Sequence, residues 1–309
     1  MTYVRRYLLG AALVASLLVS FVVARPASAA DASANTGEFS IQVSPSPLVS
    51  TVKPGQTTTL ELTIRNTSGG DEYLKITPRA FKIDDKSQKL ELQDDKIPDI
   101  ASWLTFSAPT FSVKSKQSFT QKITLNVPKE AGFSYAFALV INRVSTPLQP
   151  TGNTLKASIA VFSLLNVDRP GAVRKLEVSK FTTTKSSYEY LPAVFEVEFK
   201  NTGNTIVQPS GTIFIQRGPK DVVPIDTLDV NEGGGYILPG TSRTLTAQWD
   251  KGFQVMAPKV QADGTTKDEL SWNWNQLSQI RFGQYTAKLI AIYDDGQRDV
   301  PLEAELTFW

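Results

Sequence analysis

Ile123, Leu125 and Val127 alternate with Lys122, Thr124 and Asn126. A period of two sets the apolar three on one face of a strand and the polar three on the other. Pro128 ends the run, because it has no N–H to give to a neighbouring strand. Gly132 lets the chain turn back. Tyr135 to Ile141 is then apolar at nearly every position, the pattern of a central strand covered on both faces. With the run from Trp103 to Val113 ahead of it, this stretch predicts three strands from the middle of an antiparallel β-sandwich.

The same grammar extends in both directions. Upstream, Phe39, Ile41 and Val43 alternate, and Ser44-Pro-Ser-Pro47 breaks the strand. Leu60, Leu62 and Ile64 alternate with Thr59, Glu61, Thr63 and Arg65, and Asn66-Thr-Ser-Gly-Gly70 turns the chain. Downstream, Phe195, Val197 and Phe199 repeat the pattern ahead of Asn201-Thr-Gly-Asn204. Gly283-Gln-Tyr285 then matches Gly132-Phe-Ser-Tyr135. The offset is too long for a solenoid unit and suits tandem sandwiches. The fold class is therefore all-β, two tandem Ig-like antiparallel β-sandwiches. Asp168-Arg-Pro-Gly171 is a turn-forming break between two apolar-periodic halves. The expected organisation is a first sandwich over 38–168, a linker over 169–175 and a second sandwich over 176–309. Residues 251–280 interrupt the second sandwich. There, Met256 to Glu269 is polar and reads as mobile, and Leu270, Trp274, Leu277 and Ile280 recur at the spacing of a short helix.

Arg5 and Arg6, the apolar run Tyr7 to Val23 and the small residues Ala27-Ser-Ala29 form a helical secretory signal over 1–29, cleaved after Ala29. Residues 30–37 read as a flexible terminus. Cleavage removes Arg5, Arg6 and Arg25 from the 32 basic residues, leaving 29 against 30 acids, a net charge of −1. That balance offers no electrostatic case for nucleic acid or an anionic membrane. An exported chain with 0 Cys must stand on its apolar cores. The absence of Cys points to a bacterial cell surface or extracellular setting.

The chain also has 0 His, which removes Ser-His-Asp and Cys-His nucleophile systems, His-ligated zinc and the usual neutral-pH general base. No enzyme and no cofactor are expected. Asp84-Asp85 and Asp94-Asp95 lack the spacing of a calcium loop and read as solvated charge. Asp294-Asp-Gly296 is a hairpin turn, the wrong place for a carboxyl with a raised pKa. Leu148-Gln-Pro-Thr-Gly152 imitates a sortase signal with its Pro misplaced, in an exposed loop. Among five Trp residues, Trp103 begins a strand and reads as core. Trp272 and Trp274, with Trp249, are the candidates for partner binding, because loops on a rigid sandwich often carry function.

Ser102-Trp-Leu, Phe111-Ser-Val, Ile123-Thr-Leu-Asn-Val-Pro128 and Gly132 to Ile141 resemble the N-terminal domain of Gram-positive cell-surface proteins of the WxL-interacting kind. Pilus-chaperone N-domains share much of the same grammar. The first resemblance implies an Ig-like domain linked to peptidoglycan. It thereby implies a non-catalytic envelope module contacting a cell-wall glycan or another envelope protein. Such proteins carry a membrane helix after the second domain. This sequence ends at Phe308-Trp309, so membrane association is expected only through a partner or a missing anchor. The second resemblance implies a periplasmic assembly chaperone acting by strand donation. It would hold its two domains at a fixed angle, with basic residues between them, and Arg169, Arg174 and Lys175 lie near that boundary.

Overall fold

The computed structural model describes residues 39–84, 89–93, 96–144, 157–218 and 223–309. The expected signal peptide and flexible terminus, Asp85, Asp94-Asp95 and Leu148–Gly152 lie outside the described residues. The first strands are β1 (Ile41–Ser44), β2 (Leu48–Val52), β3 (Thr57–Asn66), β4 (Glu72–Ile83) and β5 (Leu90–Gln93). After a 3-10 turn, Asp99–Trp103, come β6 (Leu104–Phe106), β7 (Thr110–Val113), β8 (Ser118–Asn126), β9 (Ser134–Arg143) and β10 (Ser158–Val167). One sheet runs β1-β3-β8-β6. The other runs β2-β10-β9-β4-β5, with β7 also on β4. Their inner faces enclose a core built on Leu62, Ile64, Leu74, Ile76, Ile123 and Leu125. The period-two residues of β3 and β8 thus point inward, and β9 is buried from Phe137 to Ile141, as its unbroken apolar run requires.

The later strands are β11 (Leu176–Thr183), β12 (Ala193–Asn201), β13 (Ser210–Arg217), β14 (Asp226–Val230) and β15 (Ser242–Trp249). A hairpin follows, β16 (Gln254–Val260) and β17 (Thr266–Trp272), and then β18 (Tyr285–Asp294) and β19 (Asp299–Phe308). Sheets β11-β12-β15 and β14-β13-β18-β19 close on a second core that contains Phe195, Val197, Phe199, Trp249 and Phe308.

Paired side chains explain why the two halves share a grammar. Asn66 and Asn201 are fully buried at the ends of β3 and β12. Asn66 Nδ2 donates to Gly70 O and Val113 O, while its Oδ1 accepts from Ser68 N. Asn201 Nδ2 donates to Thr205 O and Ile237 O, while its Oδ1 accepts from Gly203 N. Each amide ties a turn that would otherwise bury unpaired backbone groups. Tyr135 OH accepts from Gly132 N at 2.6 Å, and Tyr285 OH accepts from Phe282 N at 3.1 Å. Both are the corner bond of Ig-like sandwiches, a Tyr at a strand start reaching back to upstream backbone. A buried ion pair, Glu72 with Arg143, joins the start of β4 to the end of β9 by two hydrogen bonds of 2.7 and 2.5 Å.

The insertion departs from expectation. Residues 254–272 form the antiparallel ribbon β16–β17 in place of a mobile segment. The helical spacing of Leu270, Trp274, Leu277 and Ile280 yields only a 3-10 turn, Trp274–Gln276, with no side-chain cap. Local pairing wins there. Asp263 Oδ1 accepts from Thr265 N and Oγ1 at the hairpin tip, Gly264 supplies a φ of 81°, and Lys259 pairs with Glu269 at 2.8 Å. A helix would also need a sheet to receive its apolar stripe, and Leu277 and Ile280 face solvent.

Candidate functional site

Strand β10 reads Ser158-Ile-Ala-Val-Phe-Ser-Leu-Leu-Asn-Val167, apolar at both parities. Val161, Leu165 and Val167 point into the first core, with Ile159 packed against it. Phe162 and Leu164 occupy the opposite face. On one side β10 pairs antiparallel with β9 from Ser158 to Asn166. On the other, β2 runs parallel to it only from Ser163 to Val167. Among the described residues, no strand pairs the outer edge of Ser158–Phe162. Arg143 N donates to Ala157 O, so the odd positions face β9 and the N–H and C=O groups of Ser158, Ala160 and Phe162 face outward.

Two other long edge strands, β19 and β11, are guarded. β19 carries Pro301, Glu303 and Glu305, and β11 carries Glu177, Lys180 and a bulge at Val178–Lys180. Proline, charge and bulges are the usual means of preventing strand addition. The open half of β10 has none of them.

Beside this edge lies an apolar cleft of about 260 Å³. Phe81, Ile83, Leu90, Phe162 and Leu164 line one wall, and the loop Gly233–Leu238 with Arg243 lines the other. Phe81 and Phe162 meet edge-on at 5.2 Å. The walls are held in place by polar bonds. Asn166 Nδ2 donates to Ile206 O at 3.3 Å, and Ile206 N donates to Asn166 Oδ1 at 3.1 Å. Ser134 Oγ donates to Asn204 O at 3.2 Å, and Asn204 pins the connecting segment through Val173 N and Gly171 O.

The basic residues near that segment serve it locally. Arg169 donates to Ala131 O and stacks over Phe133, Arg174 pairs with Asp294 at 3.1 Å, and Lys175 pairs with Glu177 at 3.0 Å. None of the three lines the cleft.

The three candidate tryptophans divide. Trp249 is 1% exposed, edge-on to Tyr285 and Phe308 in the second core. Its indole donates to Asp226 Oδ2 at 2.9 Å, and Lys251 pairs with Oδ1 at 2.8 Å. Burial pushes the Asp226 carboxyl up, but Lys251, Thr227 N–H and the indole outweigh it and hold the group below its ordinary value. Trp249 is therefore a packing residue with a satisfied N–H. Trp272 and Trp274 are exposed, both edge-on to the buried Phe253, at 5.3 and 5.4 Å. The expected core residue Trp103 packs against Tyr135 at 4.8 Å. Asp295 is held low by the N–H groups of Arg298 and Gln297. Among the described residues, no cluster of acids could hold a metal ion.

Strand addition at an exposed edge is a mode the sequence allows, but neither the cleft nor the identity of the open edge is legible in it. A signal was present, since β10 is apolar at both parities like β9, which requires cover on two faces. Phe81 and the Gly233–Tyr236 loop carry no such signal, because their meeting depends on how the two sandwiches sit.

No family model matches the chain, so the likeness to WxL-interacting proteins finds no support, and no curated protein matches it. Solved structures similar to it include the YadV chaperone, at 12% identity and a TM-score of 0.38, covering 87% of this chain and 99% of that one. The E. coli chaperone DraB is similar at 15% identity and 0.38, covering 87% and 99%. The class 5 fimbriae chaperone CfaA is similar at 11% identity and 0.40, covering 85% and 98%.

Proposed function

We propose that this is an exported, non-catalytic polypeptide-binding protein that acts as an assembly chaperone by strand pairing. A partner segment lies along the outer edge of Ser158–Phe162 and completes the sheet beside β10. Its backbone bonds to Ser158, Ala160 and Phe162, and its alternate apolar side chains enter the cleft between Phe162 and the Gly233–Leu238 loop. Main-chain bonds give affinity in this mode and side-chain pockets give specificity. The sandwiches 38–168 and 176–309, joined by 169–175, act as one clamp.

The observation that carries this reading is the half-covered strand. β2 stops pairing at Ser163, and the remaining edge has neither charge nor proline. The two Asn166–Ile206 bonds support it, because a cleft of fixed width is pre-organised for a ligand.

Fluorescence anisotropy with a labelled synthetic peptide of alternating Ile and Thr tests it. Binding should saturate in the parent protein. Ala160→Pro removes an outward N–H without touching the β9 ladder, and Phe162→Glu sets a charge in the cleft, so each should weaken binding at least tenfold. Equal binding by parent and both variants would contradict the reading.

A further inference from the structure

The segment after β17 presents an apolar surface remote in sequence from β10. Trp272, Trp274, Leu277, Ile280 and Phe282 are all exposed, Trp274 at 72% and Phe282 at 66%. They form one surface. Trp272 and Trp274 flank Phe253, whose N–H donates to Gln279 O and whose O accepts from Asn273 N. Gln254, opposite Trp272 in the ribbon, joins Phe282 and Trp309 around an aromatic pocket of about 310 Å³. Trp309 is itself exposed.

Composition argues for a protein on this surface. Between Leu270 and Gln284 the only charged residue is Arg281, and the polar residues are Ser, Asn and Gln. Aromatic enrichment with loss of charge marks the centre of a protein–protein interface. Over residues 250–283, four bases (Lys251, Lys259, Lys267, Arg281) balance four acids (Asp250, Asp263, Asp268, Glu269), so nothing favours an anionic lipid surface.

We propose that a second copy of this chain docks here in a two-fold arrangement. The surface carries both a knob and a socket. Trp274 projects, and the pocket at Gln254, walled by Tyr188, Tyr190 and Trp309, is large enough for an indole. It also carries one acid and one base at the pocket, Glu189 and Arg281, which a two-fold axis brings together in both directions. The exposed apolar side chains supply on the order of 800 Å² per copy, one partner's share of a stable interface. This contact is independent of the β10 edge, and either can fail alone.

Sedimentation equilibrium of the purified protein tests it across a range of concentrations. The parent should dimerise. Trp274→Asp and Leu277→Asp should each raise the dimer dissociation constant roughly 30-fold or more, the loss of one anchor side chain. Ile97→Asp, on an exposed residue of the first half, should leave it unchanged. Circular dichroism should show all three variants folded, which the exposure of these side chains permits. A parent that stays monomeric, a dimer indifferent to both variants, or a dimer lost in Ala160→Pro would each overturn the proposal. So would a monomer that binds phosphatidylcholine vesicles through Trp274.

Discussion

Asn166 and Ile206 exchange two hydrogen bonds, the side-chain amide of one with the backbone of the other, at 3.1 and 3.3 Å. Asn166 lies on β10, two residues from the cleft residue Leu164, so the strand that offers the open edge also fixes the opposite wall. Asn166→Ala should cost about 1–2 kcal/mol of stability, the net worth of two hydrogen bonds. It should also broaden the distribution of dimensions measured by small-angle X-ray scattering. An unchanged scattering profile would show that the linker contacts alone hold the walls.

The Glu72–Arg143 pair makes a sharper energetic prediction. Both side chains are essentially out of water and bonded twice. Removing one partner strands a buried charge, so Arg143→Met should cost about 3–5 kcal/mol in urea unfolding. Replacing both, as Glu72→Leu with Arg143→Met, should cost much less than either single change. Additive losses would mean the pair is not the unit that matters.

Asn66 and Asn201 predict matching defects in separate halves. Either one changed to Ala takes a donor from two carbonyls, of which Gly70 O keeps Ser68 Oγ and Ile237 O keeps Val207 N, so each change should cost about 1–3 kcal/mol. Hydrogen exchange should localise the loosening to the turn around Gly70 in one variant and around Thr205 in the other.

Asp226 predicts a pH dependence. Its folded pKa lies below the unfolded value, so its contribution to stability is complete above about pH 4 and is lost as pH falls through the folded pKa. Asp226→Asn should therefore be less stable than the parent at neutral pH, with the difference narrowing below about pH 4. Urea midpoints measured at neutral and acid pH check this, and a constant difference would contradict it.

Much of the fold was legible because period-two alternation reports directly which face of a strand is buried. Leu62, Ile123, Phe195 and Val197 all point where the pattern sends them. The repeated Asn-Thr turn is visible as a string, though its cause, a buried amide bonding to Val113 O or Ile237 O far along the chain, leaves no local trace. The ribbon at 254–272 was missed because its stability comes from cross-strand pairs such as Lys259 with Glu269, which leave no periodic trace. The burial of Trp249 is not legible in the sequence, because aromatics serve cores and surfaces alike and its neighbours Tyr285 and Phe308 are remote along the chain. The candidate edge was hidden for a related reason. An apolar strand shows that it is covered, but not that its partner strand stops halfway along it.

The central claim is that the outer edge of Ser158–Phe162 receives a partner strand. Residue-resolved amide exchange with and without a saturating peptide of alternating Ile and Thr measures it directly. The Ser158, Ala160 and Phe162 amides should exchange freely alone and at least tenfold more slowly when the peptide is bound. If the peptide binds and those three amides exchange at unchanged rates, the partner sits elsewhere and the account is wrong.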